Sequence, residues 1–214
     1  MLFIAVLYSI YKYLFPTALP TNFIYLFCLE KCFNGNSTVK KENGETTYIR
    51  NLKIGDSVLV YDIKTSTIKW SPVIIMFIYQ RYNPKASVDY LELHTSSTSS
   101  PLQITPAHSL LIKKFDDESK QYHFASMVSV GDELYVTNEN LTAVKPVIVS
   151  KIKPIKLYDA YAPITYDGTI IADGFVASCY GSYKHENMHV LLTPIRLWYR
   201  LFQTDKHLFE YLVF

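Results

Sequence analysis

An all-β domain is what this sequence predicts, from three observations. Between residues 38 and 179, short β-branched or aromatic runs follow one another, each closed by Gly, Asp, Asn or Pro. Helical periodicity over three turns appears nowhere in that stretch. An internal echo then divides the region: Ile54-Gly55-Asp56-Ser57-Val58-Leu59-Val60 returns as Val130-Gly131-Asp132-Glu133-Leu134-Tyr135-Val136. In both copies an apolar residue leads into a Gly-Asp turn and then a strand. That predicts two β-subunits related by duplication, although two ordinary hairpin turns would leave the same trace.

Before the β region, residues 1–31 form a hydrophobic leader in which residues 1–27 carry one charged side chain, Lys12. The leader reads as a signal or anchor segment, or as a truncated upstream region. No basic stretch precedes the apolar run Leu2 to Leu7. Pro16 and Pro20 break that run before it reaches the roughly 20 residues a bilayer needs. Two sequons, Asn36-Ser37-Thr38 and Asn140-Leu141-Thr142, fit a secretory route.

The strands are expected around Val58–Tyr61, Val73–Ile75, Tyr90–Leu93, Ser109–Ile112, Leu134–Val136, Val147–Val149 and Thr169–Ile171. After Cys179 the pattern changes to helix. Thr193 is placed to cap it and Pro194 to occupy its first position. Leu197, Trp198, Leu201, Phe202, Leu208, Phe209 and Leu212 then recur at helical spacing, with Arg196, Arg200, Gln203, Lys206 and Glu210 on other faces. Such an amphipathic tail can lie on a membrane, cradle a lipid or pack on the β-domain.

Composition narrows the chemistry. The chain has 214 residues, 49% of them apolar, and a formal charge of +2 without a basic block, which argues against nucleic acid as a partner. Three cysteines (Cys28, Cys32 and Cys179) are too few for a disulfide scaffold, and they lack paired zinc spacing, so no metal is expected. Cys32, Thr105 and His108 are the candidate catalytic residues: a thiol, a hydroxyl and an imidazole. A thiol becomes a strong nucleophile when a positioned imidazole manages protons for it.

Taken in order, five blocks resemble the C-terminal autoprocessing module of hedgehog proteins, a member of the Hint superfamily shared with inteins. They are Cys32 to Val39, Leu52 to Leu59, Thr105-Pro106-Ala107-His108, Val130 to Val136, and Tyr161 to Tyr180. The tail Leu191 to Leu197 also looks like the start of the sterol-recognition segment that follows the hedgehog module. The resemblance implies a Hint fold over residues 32–183, with 1–31 as leader and 184–214 as a sterol-recognition-like tail. It also implies a monomer in the secretory pathway, extracellular or membrane-associated, whose substrate is its own N-terminal segment.

What the resemblance implies for the site is an N-to-S acyl shift at Lys31-Cys32, with His108 protonating the departing nitrogen and Thr105 bonding the scissile peptide. A second nucleophile then captures the thioester. No cofactor is expected, but cholesterol or another sterol is the co-substrate of the hedgehog reaction, and a membrane lipid alcohol or water are alternatives. Cys179 is assigned a catalytic role in redox pairing or later transfer. Three departures qualify this picture. Lys31 stands where the family has glycine, and a side chain there crowds the attacked carbonyl and predicts slow or lost cleavage. Gln80 aligns with the aspartate that activates the sterol hydroxyl, and an amide cannot accept that proton. Only residues 1–31 precede Cys32, so the chain is expected to be a fragment or divergent relative, or to release its leader as product. Splicing is disfavoured, because Ala177-Ser178-Cys179 offers no His-Asn ending. The competing reading is a degenerate, non-catalytic Hint β-domain.

Overall fold

The computed structural model of the protein describes residues 32–98, 100–117, 119–181 and 185–201. The leader expectation at 1–31, including Lys31 and Cys28, lies outside these residues, as do the helical positions from Phe202 onward.

Thirteen strands run among the described residues: β1 (Thr38–Lys40), β2 (Thr46–Tyr48), β3 (Ser57–Asp62), β4 (Thr67–Gln80), β5 (Val88–Thr95), β6 (Leu102–Ile104), β7 (His108–Lys113), β8 (Lys120–Phe124), β9 (Glu133–Thr137), β10 (Val144–Leu157), β11 (Ala160–Thr165), β12 (Thr169–Ala172) and β13 (Phe175–Gly181). Two helices follow, α1 (His185–Leu191) and α2 (Thr193–Leu201). The all-β expectation holds.

The echo is a duplication in three dimensions. In the first copy Gly55 N–H donates to Val73 O at 2.8 Å and Val73 N–H to Asp56 O at 2.8 Å; in the second, Gly131 donates to Val149 O at 2.9 Å and Val149 to Asp132 O at 2.8 Å. Each aspartate also accepts from the backbone three residues earlier, Lys53 at 2.9 Å and Ser129 at 2.7 Å. Each meets a lysine that directly follows a strand one further back, Lys41 after β1 with Asp56 at 2.9 Å and Lys114 after β7 with Asp132 at 2.8 Å. The glycines have φ of 90° and 98°, a region that costs a residue with a Cβ, so both copies require glycine to enter the strand from this turn.

The two copies complete each other's sheets. The first half of the 14-residue β4 pairs with β3 and its second half with β11, which follows the second copy. Likewise β10 pairs with β9 and then with β5, which follows the first copy. This exchange buries one continuous apolar core running from Phe33 and Val39 through Ile74, Leu93 and Leu110 to Phe175 and Tyr180.

The tail packs differently from its sequence pattern. Arg196, expected on the solvent side of the helix, is buried, while Leu197 is 52% and Leu201 75% exposed. A buried guanidinium survives only with hydrogen-bond partners. Here Arg196 donates to Thr193 Oγ1 at 2.9 Å and to His189 Nδ1 at 2.6 Å, with Tyr180 Oη at 3.5 Å. Thr193 does open α2, but its hydroxyl turns back to His189 O at 3.3 Å instead of capping the new helix. No helix among the described residues is long and apolar enough to cross a membrane.

Candidate active site

The first described residues thread between strands from both copies. Phe33 bridges to Tyr161 in β11 and to Ile104 in β6, and Phe33 N–H donates to Tyr161 O at 2.8 Å. That insertion carries Cys32 into the interior, where it is 1% exposed. The turn from β6 into β7 supplies Thr105 and His108, both fully buried, and His108 N–H closes it on Thr105 O at 3.1 Å.

The geometry centres on one amide. The nitrogen of Cys32, which is the nitrogen of the Lys31–Cys32 peptide bond, donates to Thr105 Oγ1 at 2.8 Å. Thr105 N–H in turn donates to Cys32 O at 3.2 Å. His108 packs its ring edge-on against Phe33 at 4.4 Å, so the imidazole sits beside the residue following the thiol. His108 Nε2 lies 2.6 Å from the carbonyl oxygen of Ser178. A carbonyl can only accept, so Nε2 carries a hydrogen, and Nδ1 is the ring atom at which the imidazole gains or loses a proton. Cys32 and Thr105 are thus joined across 73 positions of sequence, with His108 packed on the neighbouring Phe33.

Cys179 is placed by β13, buried, with its Sγ 3.5 Å from Thr165 Oγ1. Burial pushes its thiol up to about 12, against the pull of the Thr165 hydrogen bonds, so at neutral pH it is a thiol and not a thiolate. Among the described residues, Cys179 forms no disulfide.

Gln80 ends β4 and has a bridging task. Its Nε2 donates to Ala86 O at 2.7 Å and to Tyr158 O at 2.8 Å, which uses both amide hydrogens to tie the loop before β5 to the turn before β11. Gln80→Glu is therefore expected to lower stability at neutral pH by on the order of 1 kcal/mol, since it removes two donors and sets a carboxylate against two carbonyls. The carboxyl's folded pKa would be raised. The variant should be most stable below about pH 4 and lose that stability as pH rises through the raised value, which thermal melts at pH 4 and pH 7 would read.

Two neighbours escaped the sequence reading. Asp159 Oδ1 accepts from Gly35 N–H at 3.2 Å, and a Cβ on Gly35 would meet Asp159 Oδ2 at 2.6 Å and the Tyr161 ring at 2.6 Å, so only glycine admits this approach. Tyr90, fully buried, donates to Asp159 O at 2.9 Å. Burial raises its phenol, and the charges of Cys32 and Asp159 push it further in the same direction, which places Tyr90 within electrostatic reach of the thiol. Residues 124 positions apart in sequence leave no local signal of such a contact.

A family model described as the Hint module matches residues 27–208. The Tiggy-winkle hedgehog protein of Danio rerio is 33% identical over 172 residues, 79% of this chain and 40% of that protein. The hedgehog protein of Drosophila virilis is 32% identical over 173 residues, 79% of this chain and 34% of that protein. The chain therefore spans well under half the length of these relatives. Among solved structures, the DnaB intein of Synechocystis sp. PCC 6803 superposes with a TM-score of 0.58 at 11% identity, covering 69% of this chain and 97% of the intein. At that identity the likeness speaks for the fold.

Proposed function

We propose, from the premise that this chain belongs to the Hint module family, that it acts once on its own backbone, cleaving the Lys31–Cys32 bond through a Cys32 thioester. The observation that carries this reading is the 2.8 Å hydrogen bond from the Cys32 amide to Thr105. With the N–H pinned to that hydroxyl, the nitrogen's lone pair, as it becomes tetrahedral, develops away from Thr105 and toward a proton donor. His108 is that donor. As the Cys32 sulfur adds to the Lys31 carbonyl carbon, its thiol proton passes to His108 Nδ1; the imidazolium so formed returns that proton to the nitrogen as the C–N bond breaks, and the nitrogen leaves as an amine. An acceptor hydroxyl then attacks the thioester, and the sulfur departs as thiolate and regains a proton.

Water is the acceptor this site favours. Gln80 offers no base, since a carboxamide does not take up a proton at ordinary pH, and its amide nitrogen is held by two carbonyls. Cys179, held as a thiol at Thr165, enters the later transfer only if a local rearrangement frees it. The test is the intact mass of the expressed chain, with and without added cholesterol. The expected product is an N-terminal fragment ending at Lys31 as a free acid, accompanied by a fragment beginning at Cys32. A fragment heavier by one esterified sterol would overturn water as acceptor, and an uncut chain that dithiothreitol also fails to cut would favour the non-catalytic reading.

The secretory route is part of this proposal, and its two sequons differ in what the fold allows. Asn140 and Thr142 are exposed at the tip of the β9–β10 hairpin. Asn36 is itself exposed, but its neighbours are engaged: Ser37 is buried, Thr38 Oγ1 donates to Asp173 at 2.9 Å, and the Asn36 side chain accepts from Arg50. A bulky hydrated glycan fits the hairpin tip without displacing such contacts, which favours the first. Protein recovered from the secretory pathway should carry one glycan, removed by peptide N-glycosidase. Asn140→Gln should abolish that mobility shift and Asn36→Gln should leave it.

A further inference from the structure

Strand β13 does not run evenly along β7. Ala177 faces Leu110 and Gly181 faces His108, with a register irregularity between them, so Ser178, Cys179 and Tyr180 stand against Ser109 alone. Bulges re-aim backbone groups beside functional sites. This one turns the Ser178 carbonyl onto His108 Nε2 at 2.6 Å.

The bulge is held by the side chain of Ser178 and by a residue beyond the β-domain. Ser178 Oγ accepts from Tyr180 N–H at 2.9 Å and lies 3.0 Å from Nδ1 of His185, the first residue of α1. Beyond the Tyr180 amide, Ser178 has one hydrogen and one lone pair left for His185 Nδ1, and the contact is assigned with the hydroxyl donating to a ring lone pair. Burial, followed by the charges of Arg196 and Lys64, lowers His185 to about 4, consistent with a neutral ring. The ring is clamped near-parallel to Tyr122 at 4.4 Å and to His189 at 5.7 Å, and Tyr180 leans on it at 5.2 Å.

We infer that His185 is a positioning residue for His108: by accepting from Ser178 it fixes the bulge whose carbonyl holds His108 in its Nε2–H form, leaving Nδ1 to take the proton of the Cys32 thiol and pass it to the scissile nitrogen. The helix after the β-domain therefore belongs to the thioester-forming machinery, in addition to any lipid contact its tail makes. This rests on the autoprocessing reading for its consequence, but the tautomer of His108 can be measured without cleavage.

The experiment uses full-length chain carrying Cys32→Ala, labelled with nitrogen-15, and long-range proton–nitrogen correlations that distinguish the two histidine tautomers. His108 should be a single Nε2–H species. In His185→Phe, which keeps the stacked ring and removes the acceptor, the signal should split or move toward the other tautomer, while the β-strand amide spectrum stays folded. His185→Asn, whose side-chain oxygen can replace Nδ1, should restore it. Ser178→Ala should reproduce the defect without adding to that of His185→Phe, as expected for one shared chain of contacts. With Cys32 present, dithiothreitol-induced cleavage should fall roughly five- to ten-fold in His185→Phe, the worth of about one hydrogen bond. An unchanged His108 tautomer in His185→Phe would overturn the inference, and so would a change that His185→Asn does not repair, since that assigns the effect to packing. Failure of the parent chain to cleave would remove the autoprocessing reading while leaving the tautomer result to decide this one.

Discussion

Cys32→Ala is expected to leave a folded chain of full mass under conditions in which the parent yields a fragment beginning at Cys32. The substitution removes one buried sulfur from a side chain 1% exposed. Both backbone hydrogen bonds to Thr105 use main-chain atoms of residue 32 and persist. The stability cost is on the order of 1 kcal/mol, too small to unfold a domain with this core. Loss of cleavage can therefore be assigned to loss of the nucleophile, because Cys179, the other cysteine among the described residues, is anchored at Thr165 with burial holding it protonated. Intact-mass spectra of the two proteins, taken after equal incubation with dithiothreitol, make the comparison. Equal cleavage in both would remove Cys32 as nucleophile. A parent chain that stays whole would turn attention to Lys31, at the position where the hedgehog resemblance leads one to expect glycine.

How far the sequence revealed this arrangement depended on how local each determinant is. The runs at Val58, Tyr90, Ser109, Leu134 and Thr169 were legible because strand preference and turn residues lie within a few positions of each other, and each falls inside an observed strand. β1, β2 and β6 were missed because three residues carry too little pattern, and β11 because Pro163 and two alanines dilute a strand whose every residue is buried. β4 is legible only near its middle and β10 only in its first half. Each changes partner halfway, so neither has one alternating face from end to end. At the site, Thr105 and His108 share a four-residue turn and were visible together. Ser178 contributes through its backbone carbonyl, which no side-chain motif announces, and His185 acts on it from a helix beyond the domain. Arg196 was misplaced for a related reason: periodicity sends a charge to solvent, while the structure supplies it with Thr193 and His189.

His108→Ala should reduce thiol-induced cleavage by about 100- to 10,000-fold, the range for removing a positioned general acid. Without a proton the departing nitrogen would leave as an amide anion, so the tetrahedral adduct would revert to peptide instead of advancing to thioester. Alanine also deletes a fully buried ring, leaves the Ser178 carbonyl without its 2.6 Å donor and opens space beside Phe33, so some activity loss could come from a disturbed core. His108→Asn separates the two causes. Its side-chain amide can still donate to Ser178 O and fill most of the volume, but it has no nitrogen that titrates near neutral pH. Equally deep losses in both variants, with melting temperatures of the Asn form near the parent's, would assign the effect to the proton. Thr105→Val should lose less, because it removes a hydrogen bond that orients the scissile N–H and transfers no proton. Undiminished dithiothreitol cleavage in His108→Asn would sink the assignment of His108 as acid and leave Thr105 and the buried main chain to account for whatever activation the site provides.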